Sequence, residues 1–221
     1  MTRSRVTRLF IGAVALVVLS ACGHQPGSAF QVGSTSVDRG TVDSVADAEC
    51  TLIKGQGQAV PRAKLLWSIV NALVLSTAQI AYGDSHGTTY DPAPLRAQLS
   101  QLDTALAGLK SAQRSDLRGA ISDSLKGELI ALSVGRKALE DQGTTSPQDD
   151  AARAAGNKIV MAWATKQGVD IDPRYNLGKS DQAGAGDGSI SKAVSSYAKS
   201  SASGSASKTF LAQLPKSQLC G

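Results

Sequence analysis

No feature constrains this chain more than the stretch between Lys64 and Asp84, which contains no charged side chain. Leu65, Leu66, Ile69, Val70, Leu73, Val74, Leu75 and Ile80 spread apolar surface over several sides of a helix that Pro61 opens and Gly83-Asp84 stops. Such a helix has to be enclosed by the rest of the chain or kept greasy for a partner. A membrane span is disfavoured because Ser68, Asn71, Ser76, Thr77 and Gln79 interrupt it. The expectation is a central core helix over 61–82. The functional alternative is an apolar groove for a client polypeptide, with Leu66, Ile69, Val70 and Leu73 as candidate polypeptide-binding residues.

Other helices must surround it, and the periodicity supplies them. Leu95, Leu99, Leu102, Leu106 and Leu109 recur at alternating steps of four and three after the cap-and-proline start Asp91-Pro92. Leu117, Ile121, Leu125, Leu129, Leu132 and Leu139 mark a longer helix from Ser115. The short connection between the two favours an antiparallel hairpin. Ser146-Pro147 with Asp149 opens a further helix carrying Ala152, Ala155, Ile159, Val160 and Trp163, and ending near Gly168. Two short strands flank the helical part. Ala29 to Gly33 leads through a turn to a helix capped by Asp38 and reaching Cys50, and Val169 to Pro173 alternates like a strand. The predicted fold is mainly α, a bundle of about five helices with a short two-stranded β ribbon formed by the start and end of the domain.

The N-terminal residues fix the address. Arg3, Arg5 and Arg8 precede an apolar run from Leu9 to Leu19, and Leu19-Ser20-Ala21-Cys22 matches a lipobox. The apolar run rises only about 16 Å as a helix against a ~30 Å hydrocarbon core, so it reads as a cleaved signal. The expected organisation is a lipoprotein signal peptide over 1–21, lipidation at Cys22, a tether over 22–28, a helical domain over 29–177, a Gly/Ser/Ala-rich flexible linker over 178–209, and a C-terminal segment over 210–221. The expected location is the outer face of a bacterial cytoplasmic membrane, held by the lipid.

Loss of Arg3, Arg5 and Arg8 with the signal lowers the net charge from +5 to +2. With 4% aromatic residues as well, the mature chain has neither a basic excess nor the stacking platforms that nucleic-acid binding uses. Of three cysteines, Cys50 and Cys220 remain once Cys22 is acylated. Outside the cytosol their pairing is the expected state, closing a loop worth roughly 5 kcal/mol in the chain-entropy model. Free redox-active thiols are the alternative, without a Cys-x-x-Cys spacing to support it.

Catalytic constellations are missing. Asp84, Ser85 and His86 have the residue types of a hydrolase triad, but neighbours in one loop do not face one another as a relay, and a solvated loop is expected there. Gly184 to Gly188 fits neither phosphate-binding glycine motif, and His24 and His86 form no metal pair. No enzyme activity, cofactor or metal is expected.

The strand-turn Ala29-Phe30-Gln31-Val32-Gly33-Ser34-Thr35-Ser36-Val37, the helices that follow, and the returning Val169-Asp170-Ile171-Asp172-Pro173-Arg174-Tyr175 together resemble the SurA N-terminal-like lipoproteins of actinobacteria, related to the helical chaperone half of SurA and trigger-factor-type foldases. Asn176 departs from that pattern, where the group usually has glycine. The resemblance implies a membrane-anchored holdase for unfolded or exported polypeptides, without a parvulin domain, in which Arg174 and Tyr175 close the ribbon. An accessory or scaffold subunit with one dedicated membrane or cell-wall protein partner is the alternative.

Overall fold

The computed structural model describes residues 27–175 and 208–221. The expected signal segment, Cys22, and most of the tether and linker lie outside the described residues. Within them the order is β1 (Ser28–Val32), β2 (Thr35–Asp38), α1 (Arg39–Gly55), β3 (Val60–Pro61), α2 (Arg62–His86), α3 (Ala93–Ala105), α4 (Ser111–Asp141), α5 (Asp149–Gln167), β4 (Val169–Ile171), α6 (Lys208–Gln213) and β5 (Leu219–Cys220). The molecule is mainly helical, as the periodicity requires.

The start and end of the helical part meet as β1 and β4, antiparallel, with Phe30 opposite Ile171 and Val32 opposite Val169. The structure adds β2 on the other side of β1, giving a three-stranded sheet in the order β2-β1-β4. Gly33, at φ 58°, supplies the left-handed backbone that the turn between β1 and β2 needs. One buried carboxylate fastens this sheet to the helices. Asp172, only 5% exposed, contacts the Arg39 guanidinium at 2.6 Å and accepts the Arg174 backbone N–H at 3.0 Å. Burial pushes the Asp172 pKa up, but that hydrogen bond and the charge of Arg39 outweigh it and leave the group below the usual carboxylate range. Tyr175 follows, buried at the end of a short 3-10 turn, its N–H donating to the Asp172 carbonyl at 2.9 Å.

Helix α2, uncharged between Lys64 and Asp84, sits at the centre, touching α1, α4, α5 and β1. Arg62–His86 is long and apolar enough to cross a membrane by length and composition, yet its inward side is lined by the fold's own residues. Two of its polar groups are matched, since buried Gln79 donates to Asn157 Oδ1 of α5 at 2.7 Å and Ser76 Oγ to the Leu73 carbonyl at 3.1 Å, while the buried Asn71 Nδ2 has no partner among the described residues. The helix runs past Gly83 to His86, with Gly87 as its left-handed cap. Gly83 stays inside the helix because Ile130 of α4 fills the place of its missing side chain.

Glycine also sets the closest contact, between α4 and α5. A Cβ on Gly135 would collide with the Ala152 carbonyl, and one on Gly156 with the Ala131 carbonyl. The two helix backbones therefore touch directly, a gain in packing that offsets the cost of about 1 kcal/mol for glycine inside a helix. Boundaries differ from the pattern reading where local chemistry overrides it. The helix expected from Asp38 to Cys50 continues to Gly55, and α4 begins at Ser111 rather than Ser115. α5 begins at Asp149 because Ser146 takes a positive φ of 54° and cannot join the helix. α3 ends at Ala105, leaving Leu106 and Leu109 buried in the turn that follows.

The C-terminus returns to the core. Cys50 and Cys220, 170 residues apart in sequence, form a disulfide with their Cα atoms 4.6 Å apart, and β5 pairs antiparallel with β3. Leu214 and Cys220 are buried beneath this strap.

Two predictions follow from these ties. Gly135→Ala and Gly156→Ala should each lower stability by about 1–3 kcal/mol through forced separation of α4 and α5. Gly119→Ala, at an open position on α4, should raise it by about 0.5–1 kcal/mol. Thermal unfolding decides; equal effects at all three positions would contradict the backbone contact. For Asp172, the depressed pKa means that its stabilisation is complete above the unfolded carboxylate pKa of about 4 and is lost as pH falls through its lower native value. Asp172→Asn should therefore destabilise at pH 7 by roughly 2 kcal/mol, less than the loss for a fully buried pair, and the difference from the native chain should vanish in strong acid. A difference independent of pH in chemical denaturation would refute the role of the charge.

Candidate functional site

The four α2 residues expected to meet a polypeptide lie mostly inside the fold. Ile69, Val70 and Leu73 are 4%, 0% and 7% exposed, and only Leu66 of the four is half-buried. Their burial agrees with the central core helix expected over 61–82: a helix apolar on several sides is most stable when other elements enclose it, and α1, α4, α5 and β1 do so.

The open apolar surface lies on the other leucine seam instead. α3 has no buried residue along its length; Leu95, Leu99 and Leu102 are half-buried. Its anchorage is concentrated near the hairpin turn. Leu106 and Leu109 are buried, Arg114 donates to the carbonyls of Ala107 and Leu109 at 2.9 Å each, and Arg118 forks onto Asp103 at 2.5 and 3.3 Å. That guanidinium holds the Asp103 carboxyl below its usual range, first through the hydrogen bond.

Length explains what happens at the far end. At 1.5 Å per residue α4 runs about 46 Å and α3 only about 20 Å, so α3 covers less than half of the helix it packs along. At and past the N-terminal end of α3 a cleft of about 730 Å3 opens. Leu125, Leu129 and Leu132 of α4, all half-buried, form one wall, and Leu95 and Pro94 of α3 with Tyr90 form the other. The rim is charged. Arg136 reaches Asp149 of α5 at 2.6 Å, Arg153 pairs with Asp150 at 3.0 Å, and Lys137 with Asp141 at 3.3 Å. The arrangement offers apolar contact with a polar margin, the chemistry of binding a side chain or a short segment.

Asp84, Ser85 and His86 occupy the last turn of α2, not a loop. His86 stacks on Tyr82 with ring centroids 3.9 Å apart, while its Nδ1 lies 2.8 Å from Ser85 Oγ and 2.9 Å from the Tyr82 carbonyl. Trp163 meets the Tyr82 ring edge-on, and Asp84 makes no hydrogen bond to His86 among the described residues. The histidine finishes a helix against an aromatic pair. Among the described residues no group of three His, Cys, Asp or Glu side chains is placed to hold a metal ion. Cys22 lies outside the described residues.

No protein-family model, curated protein or solved structure matches this chain. The cleft's use must be read from its own residues. Leu95 belonged to the seam singled out by spacing, and Leu125, Leu129 and Leu132 to the series that marked the longer helix; Tyr90 carried no periodic signal at all.

A helix fixed at one end and without buried side chains opens at low free-energy cost. Amide hydrogen exchange should be markedly faster over Ala93–Ala105 than over the middle of α4, and Arg118→Ala should accelerate it further in α3 alone. Equal protection of the two helices would contradict a loosely held cover.

Proposed function

We propose that this chain is a membrane-anchored, extracytoplasmic chaperone-like holdase that binds unfolded or exported polypeptides in the cleft between α3 and α4. One observation carries the reading: the leucine stripe Leu125, Leu129 and Leu132 lies on a firmly packed helix whose partner α3 is too short to cover it. An apolar wall on a rigid support, faced by a loosely held helix, suits clients that share hydrophobic character but not sequence. The affinity scale fits. Two or three client side chains buried there contribute about 5–8 kcal/mol. Association costs at least ~4 kcal/mol, so the grip is weak and release needs no nucleotide.

The address supports the same role. The lipobox places a diacylglyceryl group on Cys22, and the stretch from Cys22 to Gly27 reaches at most about 17 Å, holding the sheet end of the domain close to the outer face of the cytoplasmic membrane. A Cys50–Cys220 disulfide is durable in that compartment. The likeness of the β1–β2 turn and the β4 return to SurA-type N-terminal domains points the same way. The reading assigns no catalytic step, cofactor or nucleic acid.

The test is suppression of aggregation. The full chain should reduce light scattering of a chemically unfolded reporter at near-stoichiometric concentration. Leu129→Asp with Leu132→Asp should require at least about tenfold more protein for the same effect, from the loss of more than 1.4 kcal/mol of apolar contact. Lys54→Asp, exposed on α1, serves as the control. Unchanged suppression in the leucine double variant, with native circular dichroism, would remove the cleft from the function.

A further inference from the structure

The cleft's charge is not balanced where an occupant would lie. Its lining contains the cations Arg136, Lys137 and Arg153, and each is engaged by an aspartate: Asp149, Asp141 and Asp150. Of those aspartates only Asp149 itself lines the cleft. The remaining lining carboxylates, Glu128, Glu140 and Asp91, are exposed and form no ion pair among the described residues. Asp91 Oδ1 accepts the Ala93 N–H at 2.9 Å and so is tied to the start of α3, whereas Glu128 and Glu140 accept no side-chain hydrogen bond among the described residues and stand on the leucine-bearing helix itself. They stand twelve residues apart along α4, about 18 Å at the helical rise, and bracket Leu129 and Leu132.

We infer that the cleft selects polypeptide segments whose apolar side chains are flanked on both sides by lysine or arginine. The inference rests on the holdase reading and gives it a substrate class. Apolar residues of the segment seat on Leu129 and Leu132, while its two cations meet Glu128 and Glu140 on either side of them. The same carboxylates repel the anionic headgroups of a lipid surface, so a membrane is the poorer occupant although the chain is tethered beside one. Since both carboxylates are exposed, they act on selection and encounter more than on total affinity.

The experiment compares two fluorescent peptides of about thirteen residues, the length that spans ~18 Å as a helix. They share one leucine- and phenylalanine-rich core and carry lysines at both ends or glutamates at both ends. Binding to the full chain is followed by anisotropy at low and physiological salt. The lysine-flanked peptide should bind at least about fivefold tighter at low salt, the order expected for two exposed ion pairs, and the preference should shrink as salt rises. Glu128→Gln with Glu140→Gln should abolish the preference while leaving the residual binding of the apolar core. Equal binding of the two peptides, or a preference that survives the double variant, would overturn the inference. If neither peptide binds while the native chain still suppresses aggregation through its leucines, the charge selection fails and the holdase reading stands; loss of both sinks both. A concentration-dependent dimer abolished by the double glutamine variant would give the cleft to a second copy of the chain and overturn the inference as well.

Discussion

The direct contact of the α4 and α5 backbones is the interaction on which the rest of the molecule depends. Gly135 against the Ala152 carbonyl and Gly156 against the Ala131 carbonyl bring the helices closer than any pair with side chains at those positions allows. On the same helix Gly127 receives Gln79, and Ile130 enters the space left by Gly83, so α2 locks to α4 in the same manner. α1 joins through Ser44, whose hydroxyl donates to Asp116 at 2.5 Å. The inner faces of α4 are consumed by these contacts. Its leucine stripe from Leu125 to Leu132 is left to α3, and α3 ends too soon.

That division gives the site its mechanical character. The wall carried by α4 is held by the close packing of that helix on α2 and α5. The opposite wall depends on a few half-buried leucines, one forked ion pair and a buried turn. Meanwhile the sheet and the C-terminal strap secure the far side of the domain: Asp172 bridges β4 to the start of α1, and the Cys50–Cys220 bond draws the C-terminus against the end of α1. A firm floor with a yielding cover is what reversible capture of varied segments demands.

Much of the fold was legible because its signals are local. The steps of four and three from Leu95 to Leu109, the Pro61 and Asp91-Pro92 starts and the alternation in Val169 to Ile171 each report the chain's own neighbours. β2 escaped because Thr35 to Asp38 is polar and exposed on one side, and the close-packed glycines escaped because a helical glycine shows its partner only in three dimensions. The site was half legible. The uncharged helix drew attention as a groove, but enclosure from several sides buried Ile69, Val70 and Leu73. The unequal lengths of the two hairpin arms were visible in the spacing, and they are the cause of the cleft. Which leucines the mismatch would uncover required the register between α3 and α4, which the interlocking of Leu106, Leu109, Arg114 and Arg118 sets.

The most direct test of the central claim, that the uncovered leucine stripe of α4 holds client chains, is site-specific photo-crosslinking in the native cell. A photoreactive residue at Leu129 or Leu132 is compared with one at exposed Lys54, and captured proteins are identified by mass spectrometry. The account predicts many unrelated exported polypeptides from the α4 positions, in unfolded form, and few from Lys54. A single recurrent folded partner, or equal capture from all positions, would contradict it.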